Sequence, residues 1–285
     1  MSLIKSIGEK KVNLDFNKDF ISIFSDKIKS ADIQFINQTL KDLHPSDVAN
    51  LIENLSYDTR AKLIEIEEFD IDPEIFIEIN ESIQSEVLQL LSDDSIAKIL
   101  KRLESDNSIA ILENLDSKKK TAVLDKLPPK DRFLLEEGLS YPEDSAARIM
   151  QREFTAVPSD WSVGQTIDYL RESKDLPQEF LEIFVVDNDF KPIGIVPSSR
   201  VLRTPRDSKM KSIMREMPVM ISVNMDKEEV GHAFENYNLI SAGVVNKNNK
   251  LVGMITADDV VTVVQEEAEE DALRLAGVGD EEITD

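Results

Sequence analysis

The sequence predicts an α+β chain: an N-terminal all-α superhelical repeat domain, then an α/β domain made of one unit used twice, then a C-terminal connecting helix. Three observations carry this. Leucines recur every twelve positions at Leu91, Leu103, Leu115, Leu127 and Leu139, and earlier at Leu43 and Leu55. Two stretches in the last third repeat the order strand, polar turn, strand, helix start. From Asp258 to about Ala276, the residues Val260, Val264, Ala268, Ala272 and Leu275 trace one apolar stripe of a single helix.

Residues 1–30 read as an N-terminal extension and residues 31–140 as the helical domain. Each recurrent leucine there is followed by a capping segment and an apolar run. Ser92-Asp93-Asp94-Ser95 precedes Ile96, Ile99 and Leu100, and Ser105-Asp106-Asn107-Ser108 precedes Ile109 and Leu112. Ser and Asp at a helix start accept from the free N–H groups, and Pro, as in Pro128-Pro129, tolerates their absence. A twelve-residue unit holds a helix of two to three turns, too short to stand alone in water, so such helices must stack on one another. The leucine spacing slips between Leu55 and Leu91, where Asp70-Ile71-Asp72-Pro73 interrupts it. His44, before Pro45, reads as a helix cap.

Residues 141–265 hold the duplication, with a first copy over about 141–205 and a second over 206–265. Thr155–Trp161 is extended, Ser162 caps a helix over about Val163–Arg171, and Phe184-Val185-Val186 and Pro192–Val196 form a strand pair. The second copy repeats this order with Met217–Val223 extended, a helix over Glu228–Tyr237, and strands at Gly243-Val244-Val245 and Leu251–Ile255. Such a duplicated unit resembles a paired CBS (Bateman) module. Residues 266–285 read as an acidic connecting helix and the C-terminal end.

Composition narrows the chemistry. There are no cysteines and two histidines, His44 and His232, which excludes disulfides and thiolate sites and leaves little scope for histidine catalysis. His232 reads as a surface residue. No glycine-rich phosphate loop and no nucleophile–histidine pairing is present, so the chain reads as a sensor and not as an enzyme. A net charge of −23 argues against nucleic acid and against anionic lipid as partners. It also costs folding free energy through self-repulsion, which divalent cations relieve, and carboxylate oxygens suit Mg²⁺ or another hard divalent cation. No segment approaches the roughly 18–20 apolar residues of a membrane span, and Met1-Ser2-Leu3 opens no signal peptide. The connecting helix is the densest acidic stretch, with Glu267 and Asp271 at i and i+4 and Glu270 between them. Like charges at that spacing disfavour a helix unless something screens them.

Several runs resemble the cytosolic region of the MgtE family of Mg²⁺ transporters and channels. They include Leu43-His44-Pro45-Ser46-Asp47-Val48-Ala49, Tyr141-Pro142-Glu143-Asp144-Ser145-Ala146, Val252–Val260 and the closing Glu270-Asp271-Ala272-Leu273-Arg274-Leu275-Ala276-Gly277-Val278. The resemblance implies a homodimer joined through its CBS domains, lying at the cytoplasmic face of the cell membrane and itself soluble, with a transmembrane domain missing from this chain. It implies that Mg²⁺ bridges acidic surfaces of the three parts and so gates transport. Carried over by position, the metal ligands are Glu74, Asp106, Asp226, Glu228, Asp259, Glu267, Glu270 and Asp271. Asn238 and Thr262 stand where the family has aspartates and Ala110 replaces another acid, which implies one weakened ion site. The CBS resemblance separately implies ATP or AMP binding through Thr256 and Asp259, whose places in the first copy hold Pro197 and Arg200. Two other readings stay open: an adenine-nucleotide sensor, and a helical-repeat adaptor that docks a protein.

Overall fold

The computed structural model describes residues 16–66, 72–177 and 179–276. They fall into two compact units, Met1–Leu103 with Ala110–Arg132, and Glu104–Ile109 with Phe133–Asp285.

The first unit is helical: α1 (Lys18–Lys29), α2 (Ile33–Lys41), α3 (Pro45–Glu53), α4 (Tyr57–Ile64), α5 (Ile75–Glu78), α6 (Glu81–Leu90) and α7 (Asp93–Leu100). It continues with the later turns of α8 (Ser105–Glu113), with α9 (Ser117–Leu124) and with the start of α10 (Pro129–Leu139). Side chains of Asn17, Asp32, His44, Asn80, Ser92 and Asp116 accept from first-turn N–H groups, His44 through Nδ1 as its place before Pro45 predicts. The recurrent leucines close the turns. The N–H groups of Leu43, Leu55, Leu115 and Leu127 each donate to the carbonyl three residues earlier at 3.1–3.3 Å.

The expected slip in the repeat falls at α5, which starts at Ile75, off the series of the other starts from α2 to α10. Ile33, Pro45, Tyr57, Glu81, Asp93, Ser105, Ser117 and Pro129 are spaced by twelve or twenty-four residues. The series resumes at Glu81, and Ile79, buried in the core, stands at a leucine position. The physical reason is that the site requires an apolar side chain behind a closed turn, which isoleucine also supplies. Residues 67–71, which include most of the interrupting segment, lie outside the described residues.

The second unit contains β1 (Ala156–Pro158), α11 (Val163–Glu172), β2 (Glu182–Val186), β3 (Pro192–Pro197), α12 (Ser198–Arg203) and α13 (Met210–Ile213). Then come β4 (Ile221–Ser222), α14 (Lys227–Tyr237), β5 (Ser241–Val245), β6 (Leu251–Thr256) and α15 (Ala257–Ala276). Each copy forms a three-stranded sheet, ordered β1-β2-β3 and β4-β5-β6, with a parallel first pair and an antiparallel second pair. Even the register irregularities match, at Val185/Val186 and Val244/Val245. β2 and β5 are buried on both faces, hence their continuous apolar runs.

The segment entering each copy bridges the last strand of the other. Gln151 exchanges backbone hydrogen bonds with Met254, and Arg215 with Ile195. Gly253 and Gly194 allow these crossings, because a Cβ at either would sit 2.8 Å from the carbonyl oxygen of Gln151 or Arg215. Phe184, Val186, Ile195, Leu251 and Met254 then form one apolar cluster with members from both sheets. The fold is thus a helical N-terminal domain followed by a CBS pair.

Candidate functional site in the second unit

The acids predicted from sequence separate into three places. Asp106 and Asp259 come together. Asp106 lies in the first turn of α8, and Asp259 in the first turn of α15, three residues after the end of β6. The two carboxyl groups are near enough for each to act on the other's ionisation. Two carboxylates that share a site favour a proton or a cation there, because their charges repel.

Asp106 is 7% exposed, and its Oδ1 is buried without a hydrogen-bond partner. Burial pushes its carboxyl well above the usual range, the Asp259 charge adds to this, and the Asn107 N–H opposes it. Asp259 is raised by burial as well, against two bonds from Thr256, whose N–H and Oγ1–H reach Asp259 Oδ2 at 3.0 and 2.6 Å. That pair of contacts is also how α15 begins, the Asp259 side chain reaching back to cap the N–H ahead of it.

Two further residues complete the site. Gln151 Nε2 donates to Glu104 Oε2 at 2.9 Å and to Asp259 Oδ2 at 3.3 Å, and Gln151 Oε1 is buried without a partner. Glu153 fixes the start of α8, its Oε2 accepting from Ser105 N at 3.2 Å and Ser105 Oγ at 2.9 Å. Sequence reasoning missed Glu104 and Gln151. The signal was the duplication, since the Met150-Gln151 crossing corresponds to Met214-Arg215 in the other copy.

Among the described residues no group of three or more acidic or histidine side chains is placed to hold a metal ion alone. Mg²⁺ needs no such cage, because it keeps several waters and takes one or two carboxylates. The Asp106–Asp259 pair with its unpartnered oxygen fits that demand.

Asp226 and Glu228 form a second place. Both are exposed at the start of α14, where Asp226 caps the helix by accepting from Glu228 N at 2.9 Å. Glu267 on α15 meets Lys227, which lies between Asp226 and Glu228 in sequence, with Lys227 Nζ 3.8 Å from Glu267 Oε1. The side chains of Glu270 and Asp271 lie outside the described residues. Glu74 stands alone in the first unit, exposed before α5. Asn238 ends α14 in the left-handed region at φ 49°, a conformation asparagine tolerates well. Thr262 and Ala110 are exposed and supply no charge.

A cleft of about 310 Å³ opens elsewhere in this unit, lined by Glu182, Arg215, Glu216, Pro218 and Tyr237–Ser241 among others. Thr256 and Asp259 are not in its wall, though Ser241 pairs in register with Thr256 across β5 and β6.

A repeat-helix domain followed by a duplicated strand–helix module is the architecture of a regulatory domain family and not of a catalytic one. The family comparisons agree. The MgtE intracellular N domain matches residues 43–144, and the CBS domain matches residues 146–207 and 210–266. The chain therefore carries the N domain and CBS pair of the MgtE family's cytosolic region. The magnesium transporter MgtE of Thermus thermophilus is 29% identical over 150 residues, which cover 53% of this chain and 33% of that protein. The magnesium transporter MgtE of Enterococcus faecalis is 26% identical over 151 residues, with the same coverages of 53% and 33%. The chain thus spans about a third of the length of the curated relatives it matches. Among solved structures, the cytosolic domain of the Mg²⁺ channel MgtE in complex with ATP has a TM-score of 0.76 at 23% identity, covering 85% of this chain and 99% of that one. The soluble part of a magnesium transporter gives 0.75 at 21%, covering 87% and 98%. These likenesses establish the fold. Among the described residues no helix is long and apolar enough to cross a membrane.

Proposed function

We propose that this chain is the Mg²⁺-sensing regulatory region of a magnesium transporter or channel, acting at the cytoplasmic face of the membrane as a homodimer through its CBS pair. The helical domain is taken as residues 31–140, the CBS pair as 141–265 and the connecting helix as 266–285. The transmembrane part would belong to the rest of the transporter, and no catalysis is assigned to the chain. The observation that carries the reading is the buried Asp106–Asp259 contact with its unpartnered oxygen. At low Mg²⁺ the pair must hold a proton or separate; at high Mg²⁺ the ion takes that place and ties the start of α8 to the start of α15. Asp226, Glu228, Glu267, Glu270, Asp271 and Glu74 are the further ligands of the proposal. Leu202, Val261 and Val264, each exposed, are apolar residues through which the dimer would form.

Small-angle scattering across a millimolar Mg²⁺ titration, with ionic strength matched by KCl, tests it. A saturable contraction with Mg²⁺ and none with KCl is expected, and Asp106→Asn should abolish most of it. An unchanged radius of gyration overturns the reading.

The cleft favours a second reading, an adenine-nucleotide response, since the ATP-bound neighbour shares the fold. In that reading Thr256, which pairs in register with the cleft residue Ser241, and Asp259, hydrogen-bonded to Thr256, would hold the nucleotide. Saturable ATP or AMP binding to the metal-free chain would support it.

A further inference from the structure

Lys227 is an unusual residue in its place. It is the first residue of α14, where the helix N-terminus disfavours a cation, and its neighbours Asp226, Glu228 and Glu229 are the acids such a position ordinarily takes. Its side chain is nevertheless only 17% exposed, although lysine is among the residues least often buried. The ammonium lies between two carboxylates, 3.7 Å from Asp144 Oδ1 and 3.8 Å from Glu267 Oε1, and the Lys227 N–H donates to the Asp144 carbonyl at 2.8 Å. Glu267, on α15, is 21% exposed on its side chain, and α14 packs closely on α15, as a Cβ on Gly231 would lie 3.4 Å from Val264 Cγ2.

We propose that Lys227 is a tethered counter-cation that holds the acidic helix α15 on α14 when no metal is bound, and that Mg²⁺ must displace its ammonium to reach Glu267. The competition half rests on the Mg²⁺-sensing reading above; the tether half does not. The chemistry follows from charge and reach. An ammonium on a four-carbon stem satisfies a carboxylate without ordered coordination, and it is always present at high local concentration. A divalent ion binding Glu267 gains its own attraction but loses this pre-existing pair, so the ammonium raises the Mg²⁺ concentration at which α15 responds. Among the described residues the Asp106–Asp259 pair makes no ion pair with a lysine or arginine, so the two places would fill at different Mg²⁺ concentrations.

Two measurements on the full chain separate the halves. Hydrogen exchange in EDTA should show faster exchange along α15 around Glu267 in Lys227→Met, and near-wild-type exchange in Lys227→Arg, which keeps the charge. Mg²⁺ titration calorimetry should show the Glu267-dependent binding tightened about tenfold in Lys227→Met. Adding Glu267→Gln to that variant should cancel the gain, a result that simple loss of packing would not give. Unchanged exchange in EDTA overturns the tether. Faster exchange with Mg²⁺ binding no tighter than wild type overturns the competition. If Mg²⁺ binds neither protein while exchange is faster, the tether stands and the Mg²⁺-sensing reading is what fails.

Discussion

In the first CBS copy the carboxylate at the head of β2, Glu182, is 3% exposed and meets a cation that the chain itself supplies, the guanidinium of Arg215, while its other oxygen accepts from Ser241 Oγ at 2.8 Å. In the second copy the residue crossing into the same place is Gln151, a neutral amide, whose Nε2 donates to Glu104 and Asp259. The backbone frame is the same in both, down to the glycine under each crossing. A carboxylate given its own arginine is a structural lock. The Asp106–Asp259 pair beside that amide, with Asp106 Oδ1 unpartnered, is a place where a proton or an outside cation can act. One duplicated frame thus carries a closed electrostatic site and an open one, and Lys227 shows an intermediate solution, a resident cation that can be displaced.

The largest effect is expected where the closed site is opened. Arg215→Met leaves the Glu182 carboxylate buried with only Ser241 for a partner, which should cost about 3–5 kcal/mol. Urea unfolding followed by the fluorescence of Trp161, packed on Tyr169 in the same unit at a ring separation of 5.4 Å, reads it directly. Adding Glu182→Gln should return most of the loss, since the charge that needed the arginine is then gone. A cost below about 1 kcal/mol would mean Glu182 is as tolerant of isolation as Asp259, and the contrast between the copies would collapse.

Closing the open site should act in the other direction and less strongly. Asp106→Asn in EDTA at neutral pH removes a buried charge facing Asp259 and should stabilise the second unit by about 1–2 kcal/mol, with the Mg²⁺-induced rise in Tm lost. The pH dependence has a definite sign. Both carboxyls hold their protons above the ordinary value of 3.8, so above that value the folded state binds more protons than the unfolded chain. Stability contributed by the pair is therefore present at low pH and falls as pH rises through the raised values. Scanning calorimetry of wild type and Asp106→Asn in EDTA from about pH 4 to pH 8 should show the wild-type curve falling away from the variant as pH rises. Parallel curves would show that the pair is already neutralised by something other than a proton.

Much of this was legible in the residues. The twelve-residue spacing, the caps at His44 and Ser92, the two strand pairs and the single helix from Asp258 all follow from local pattern, because capping, alternation and periodicity are written in adjacent residues. Asp106 and Asp259 were nameable one at a time, through the resemblance. Their contact was not, because it joins residues from α8 and α15 that no local rule relates. Gln151 was invisible for the same reason. A glutamine between Met150 and Arg152 has no periodic signature, and its role appears only when the two crossings are set side by side. The lapse after Leu55 was legible too, and α5 breaks the series there, but that isoleucine serves at position 79 shows only in the packed turn.

The smallest effect lies in the hairpin turns, where the two copies again match in backbone and differ in residue. Asp187 Oδ1 accepts from the N–H groups of Asp189 and Lys191 at 2.9 Å, as Asn246 Oδ1 accepts from Asn248 and Lys250 at 2.9 and 3.2 Å. Both turns then need one residue in the left-handed region. The second copy places Asn249 there at φ 57°, and the first places Phe190 at φ 64° with its ring 43% exposed. Asparagine adopts that conformation at lower cost than an aromatic residue, so Phe190→Asn should stabilise the second unit by about 1 kcal/mol, a rise in Tm of about 2–4 °C. The backbone bond from Leu251 N to the Phe190 carbonyl, at 3.0 Å, survives the change. If Phe190→Asn instead destabilises the unit, the ring contributes contacts that outweigh its strained backbone, and the two turns are equivalent in geometry alone.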